Sequence, residues 1–231
     1  MIITKLKDID EIYEMIKPYS KILIAGCDGC CQPPRSINEA KVLGQMLELK
    51  SKMNGKKLTW KAMTVLRQCD DRIAGSTVRP YLDEYEAIVS LACGLGVSML
   101  NRIFEDTLTF PAQDSMFGAS ENHGDNRYEQ YCDTCGECLL GETAGICPVA
   151  SCAKGLHNGP CGGQVDGFCE VGGYKYPCAW IQIYERLKKF NRLDLFNKFR
   201  PPKDYRLMTS PGHLELIQEY TNAIEEEEVE K

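Results

Sequence analysis

The chain has 231 residues, enough for one or two domains, and its apolar fraction of 43% is that of an ordinary folded protein. Its net charge of −6 comes mostly from the tail Glu225, Glu226, Glu227, Glu228, Glu230 and Lys231, so the body is near neutral, lacks a basic stripe and is not expected to bind nucleic acid. No run of about 18 apolar residues exists to insert into a membrane, the opening MIITKLKDIDEIYEMI carries acids where a signal peptide needs an apolar core, and 13 cysteines in the cytoplasmic location this predicts point to metal or redox chemistry, not disulfides.

Residues 1 to about 111 read as an α/β unit. Residues 21–26, an apolar run ending in glycine, predict a buried strand. Ser36 can cap a helix running to Met53, with Glu39 at the capping-box position; Val42, Leu43, Met46, Leu47 and Leu49 supply its apolar side, and Asn54-Gly55 ends it. A second strand is expected over 57–66, a helical turn over 81–85, a third strand over 86–92 followed by Gly94-x-Gly96 and a helix, and a short fourth strand over 108–110. Alternating strands and helices predict a parallel, flavodoxin-like or Rossmann-like sheet.

Three of these strand ends run into cysteines: the first into Cys27-Asp-Gly-Cys30-Cys31, the second into Arg67-Gln68-Cys69, the third into Cys93-Gly94. Open parallel sheets bind ligands outside the carboxyl ends of their strands. Cys27, Cys30, Cys31, Cys69 and Cys93 are therefore expected to converge, and four of them would complete a third metal site, a cluster or a zinc ion. Asp28, Asp70 and Asp71 near these ends read as caps or surface groups. No Walker A motif, no G-x-G-x-x-G after a strand and no nucleophile elbow is present, so no catalytic residue is assigned and any part in catalysis would be moving electrons or organising a partner.

Residues 112–129 are polar and contain glycine, as a linker or mobile loop would. The divisions expected are 1–125 for the α/β domain, 126–178 for a small Cys-rich iron–sulfur domain and 179–231 for a C-terminal helical arm that docks a partner. In that arm a helix is predicted over 179–199, with Trp180, Ile183, Tyr184 and Leu187 at i, i+3, i+4, i+7 spacing, Phe190 extending the apolar side and Pro201-Pro202 stopping it. A turn over 209–213 and a short helix over 214–224 follow.

The middle segment carries the chemistry: Cys132-x2-Cys135-x2-Cys138-x8-Cys147-Pro148-x3-Cys152-x8-Cys161-x7-Cys169-x8-Cys178. A four-iron cluster takes four thiolates, so these eight cysteines match two 4Fe-4S clusters. The x8 gap after Cys138 departs from the bacterial ferredoxin run, although Pro148 follows the fourth cysteine as it does there. A structural zinc module, serving protein interaction without redox work, is the competing reading; it prefers two short-spaced pairs per ion, and a triplet followed by single cysteines suits it poorly. Histidine ligation is not expected, since His123, His157 and His213 are scattered. With few large apolar residues, this segment is expected to depend on metal for its order.

Taken together, Cys132-x2-Cys135-x2-Cys138, Cys147-Pro148-x3-Cys152-Ala-Lys-Gly-Leu, Asn158-Gly-Pro-Cys-Gly-Gly163, Gly167-x-Cys169-Glu170-Val171, Cys178-Ala-Trp180 and Ile183-Tyr184-Glu-Arg-Leu187 resemble the MetV-type cysteine-rich small subunit of methylenetetrahydrofolate reductase from acetogens. They are also similar to the C-terminal extension of some longer reductases, the methylene-tetrahydrofolate reductase C-terminal domain family. The resemblance is close over about 131–190 and looser over the N-terminal sheet, where Cys27-Asp-Gly-Cys30-Cys31-Gln-Pro-Pro34 has prolines in place of the family's glycines. It implies an iron–sulfur electron-transfer and scaffold subunit. Such a subunit passes electrons to the FMN of a TIM-barrel reductase partner that makes methyltetrahydrofolate, with room for further electron-donating subunits.

Overall fold

The computed structural model describes residues 1–208 and Gly212. The turn and short helix expected beyond residue 208, and the acidic tail, fall outside the described residues. Two compact units are present, Met1–Gln130 and Tyr131–Lys231.

The first unit opens with strand β1 (Ile2–Leu6) and helix α1 (Ile9–Ile16), in a stretch from which the sequence had yielded no element. Asp8 caps α1 by accepting from the Asp10 N–H at 2.8 Å, and the helix buries Ile12, Tyr13 and Ile16. Strand β2 (Lys21–Cys27) is buried at every position after Lys21. A tight loop through β3 (Cys31–Gln32) leads to α2 (Ile37–Met53), whose capping box of Ser36 and Glu39 forms as expected. Then come β4 (Thr59–Val65), α3 (Asp71–Val78), β5 (Ala87–Ser90), α4 (Gly94–Ile103) and β6 (Thr109–Pro111).

Strands β4, β2, β5 and β6 form one parallel sheet in that order. Numbered among themselves these strands run 2-1-3-4, the flavodoxin-like winding, and the order reverses between β2 and β5. Alternation along β2 explains the layers. Ile22 and Ile24 pack with α1 and α2 on one face, in a cluster with Ile12, Leu43 and Leu47. Leu23 and Ala25 pack with α3 and α4 on the other, with Ala74, Val78 and Leu100. Each fully buried aliphatic side chain here contributes about 1.5–3 kcal/mol.

Several expectations need correction. On α2, Leu43 and Leu47 are buried, but Val42, Met46 and Leu49 are exposed; Ala40, Gly44 and Ser51 complete the buried side, because Gly44 lets the Trp60 ring lie against the backbone. The helix before β5 is α3, capped by Asp70 accepting from the Ile73 N–H; only a 3-10 turn (Arg79–Tyr81) lies near the expected helical turn. Residues 112–129 are not a linker. Strand β7 (Gln113–Gly118) pairs antiparallel with β1, which also pairs in parallel with β3, and β8 (Ser120–Asn122) forms a hairpin with β9 (Arg127–Glu129). Their polarity reflects exposed strand faces, which two-period alternation alone distinguishes weakly from coil.

Among its described residues the second unit holds little regular structure beyond α5 (Pro148–Ser151), α6 (Ala179–Lys189) and α7 (Leu193–Phe196). Helix α6 stops well short of Pro201, because Asn191 adopts φ +53° and turns the chain. Phe190 is consequently exposed, while Trp180, Ile183 and Leu187 are buried against Ile146, Leu156, Cys152 and Cys178. The apolar side of this arm thus packs on the cysteine-rich segment. The Trp180 indole donates to the Leu156 carbonyl at 2.8 Å and meets Phe196 edge-on. Arg200, 4% exposed, pairs with Glu142 and donates to the carbonyls of His157 and Leu195, tying the chain end to the segment.

Candidate functional site

At the carboxyl edge of the parallel sheet a cleft of about 670 Å³ is lined by Cys27, Cys30, Cys31, Cys69 and Cys93. The five cysteines expected to converge do so. Cys27 is the last residue of β2, Cys31 begins β3, Cys69 follows β4 and Cys93 caps α4 after β5. The cleft therefore sits at the reversal of strand order, where helices of adjacent crossovers diverge to opposite faces.

Local sequence explains how the thiols are held. The Cys27 N–H donates to the Arg35 carbonyl at 2.7 Å, folding the loop back on the end of β2. A Cβ at Gly26 would lie 2.7 Å from the Ser36 carbonyl oxygen, so only glycine permits that return. A Cβ at Gly96 would lie 2.7 Å from the Ala92 Cβ and 2.9 Å from that of Gln68, so glycine also lets α4 start against the cleft wall. Gln68, wholly buried, joins the strand ends: its amide donates to the carbonyls of Ala25 (3.0 Å) and Gly26 (2.8 Å), and its oxygen accepts from the Ser90 hydroxyl at 2.6 Å.

Cys27, Cys31 and Cys93 are buried, and Cys30 and Cys69 are exposed. The Cys31 thiol hydrogen-bonds both other buried sulfurs and is held protonated, well above the ordinary thiol value, by those bonds and by burial. Cys27 and Cys93 are pushed the other way. The first cause for each is the bond from Cys31; next among the stabilising contacts are backbone N–H groups, of Gln68 and Gly29 for Cys27 and of Gly96 and Leu95 for Cys93. The Cys93 N–H in turn reaches the Cys31 sulfur at 3.2 Å. Burial raises Cys69, with smaller upward contributions from Cys93, Cys30 and Cys27.

The eight cysteines of 132–178 lie in the second unit. Of these only Cys135 is buried; Cys147, Cys152, Cys169 and Cys178 are half-buried, and Cys132, Cys138 and Cys161 are exposed. Cys147 and Cys178 stand at the N-caps of α5 and α6. Backbone N–H groups reach sulfur here also, from Thr134 to Cys132 and from Gly163 to Cys161, each at 3.4 Å. Gly162 has φ +81°, a turn that favours glycine, and Gly163 leaves space for the Glu170 carboxylate. Lys154 pairs with Glu170 and approaches the Cys161 sulfur at 3.5 Å. Among the described residues no three His, Cys, Asp or Glu side chains converge on a point as a single metal ion requires. A four-iron cluster asks something different, since each thiolate meets its own iron and the sulfurs stand around a body of several atoms. Soft thiols on hydrogen-bonding backbone suit that group.

Gln68, Lys154, Glu170, Arg200 and the N–H donors of the first unit were not foreseen. Gln68 alone had a visible signal, a polar residue between a strand end and a cysteine.

An open parallel sheet in flavodoxin-like order, with a thiol-lined cleft at its carboxyl edge and a cysteine-rich second unit, defines a two-unit α/β protein with two thiol-rich regions. Residues 110–206 match the family model described as methylene-tetrahydrofolate reductase C terminal, so this segment is similar to that family. No curated protein and no solved structure matches the chain. No helix among the described residues is long and apolar enough to cross a membrane.

Proposed function

We propose that the chain is an iron–sulfur electron-transfer and scaffold subunit of a cytoplasmic methylenetetrahydrofolate reductase complex, passing electrons to a flavin-bearing partner subunit. One observation carries the reading: all 13 cysteines fall into two thiol-rich regions, five around one cleft and eight within 132–178, with none left over as a core filler elsewhere. Cysteines used only for packing would be scattered through the apolar clusters. The family match over 110–206 supports the reductase complex in particular.

The residues that would hold two four-iron clusters are Cys132, Cys135, Cys138, Cys147, Cys152, Cys161, Cys169 and Cys178. Bound there, the clusters supply one-electron transfer. The chain's own part is to present thiolates on a backbone rich in N–H donors and to keep α6 packed beneath them. Anaerobic purification tests this: about eight irons held by this segment and a broad brown absorbance support it. A colourless zinc protein, or methylenetetrahydrofolate reduction by the isolated chain, would refute it.

A further inference from the structure

The family match begins at residue 110 and leaves the five-cysteine cleft of the first unit without an assignment. We propose that this cleft binds a third four-iron cluster through Cys27, Cys31, Cys69 and Cys93, with Cys30 left free. The inference is independent of the reading of residues 132–178.

The size of the cleft argues for a cluster over a single ion. A water needs only about 10–15 Å³ of such space, whereas the cleft offers about 670 Å³. Zinc draws four sulfurs to about 2.3 Å from one centre, and among the described residues no three ligand side chains are placed to hold a single ion. A cluster instead fills a cavity whose thiols stand on separate walls. Here those walls are the end of β2, the β3 loop, the end of β4 and the start of α4.

The backbone is the second argument. The Cys93 N–H reaches the Cys31 sulfur at 3.2 Å, placing a backbone donor on a buried sulfur of the cleft. Backbone donors to a ligating sulfur tune the potential of an iron–sulfur centre. A cleft built for an apolar ligand would not aim N–H groups at sulfur.

The fourth ligand is chosen by how firmly it is held. Cys30 lies in the bend before β3, and it and Cys69 both line the cleft and are both exposed. Cys69 directly follows Gln68, whose buried side chain is fastened to the ends of β2 and β5, so its place at the cleft is fixed where that of Cys30 in the loop is not.

The full chain, reconstituted anaerobically with iron and sulfide, tests the assignment by alkylation and mass spectrometry. Cys30 and Cys69 are both exposed in the metal-free chain, so both should react with iodoacetamide. After loading, Cys69 should become protected at least tenfold while Cys30 still reacts, and the cleft should account for about four irons per chain. Folded C93S should lose about four irons, whereas C30S should lose none. Because the protection readout uses the unmutated chain, it holds even where C93S fails to fold. Continued labelling of Cys69 after loading, full iron content in folded C93S, or equal protection of Cys69 by zinc alone would each overturn the proposal. In C161S, loss of a cluster with Cys69 still protected separates this site from the other region.

Discussion

Replacing Gln68 with Leu tests whether the cleft is organised by its buried hydrogen bonds. The amide is wholly inaccessible and bonds three groups, the carbonyls of Ala25 and Gly26 and the hydroxyl of Ser90. Leu has similar bulk, so little cavity arises, but the three groups lose their partner. The Ala25 carbonyl keeps a bond from the Leu91 N–H at 2.9 Å, and the Ser90 oxygen keeps one from the Ala92 N–H at 3.1 Å. The net loss therefore falls on the Gly26 carbonyl and the Ser90 proton, at about 1–3 kcal/mol each, or about 3 kcal/mol for the two together. With an m-value of about 2 kcal/mol/M, the urea midpoint of the first unit should drop by about 1.5 M. Trp60 lies in this unit and Trp180 in the second, so fluorescence on a Trp180→Phe background reports the first unit alone. A midpoint shift under about 0.3 M would refute the idea that Gln68 fastens the ends of β2 and β5.

Other substitutions probe the remaining contacts. Trp180→Ala should destabilise the second unit by about 3–5 kcal/mol and lower its iron retention, read by urea titration and iron assay, since the indole is 1% exposed beneath the cysteine-rich segment. Glu142→Gln should cost about 3 kcal/mol, the low end for breaking a buried pair, because Arg200 is buried but Glu142 is partly exposed. Lys198 and then Arg200 hold the Glu142 carboxyl below its usual range; its stabilisation is thus present above about pH 4.3 and lost as pH falls through the lower folded value. The urea-midpoint gap between wild type and Glu142→Gln should accordingly narrow on acidification, and a gap constant from pH 7 to 3 would contradict the pairing. Cys161→Ser should remove about four irons, and full iron content would show that this residue is not a ligand.

How much of this was legible in the sequence follows from what each signal depends on. Strand β2 and the cap of α2 were readable because both are set by residues a few positions apart: a run buried on both faces, and Ser36 with Glu39. The parallel sheet followed from alternation. Strands β1 and β7 were not readable, because each is defined by the other, over a hundred residues away, and exposed positions dilute the two-residue period of β7. On α2 the pattern misled for a related reason. Leu49 and Val42 look like core, yet the space beside the sheet is taken by Trp60, which closes on Gly44.

The cleft shows the same division between local and distant causes. That five cysteines would meet required only a winding rule, since carboxyl ends of parallel strands lie along one edge. Which of them are buried depended on the return of the loop through Gly26 and on the pairing of β3 with β1, neither of which leaves a pattern in the cysteines themselves. The N–H groups facing Cys27 and Cys93 belong to Gly29, Gln68, Leu95 and Gly96, residue types that say nothing of sulfur. Their role comes from backbone direction at a loop and at the start of a helix. A thiol count therefore finds such a site, but whether it suits thiolate rather than buried thiol is decided by backbone, and Gly96→Ala isolates that term. The added methyl meets Ala92 and Gln68 and must push the start of α4 away while leaving all five thiols in the chain. If backbone donors matter as argued, Gly96→Ala should diminish metal protection of Cys69 severalfold with the chain still folded; unchanged protection would leave the cysteines alone responsible.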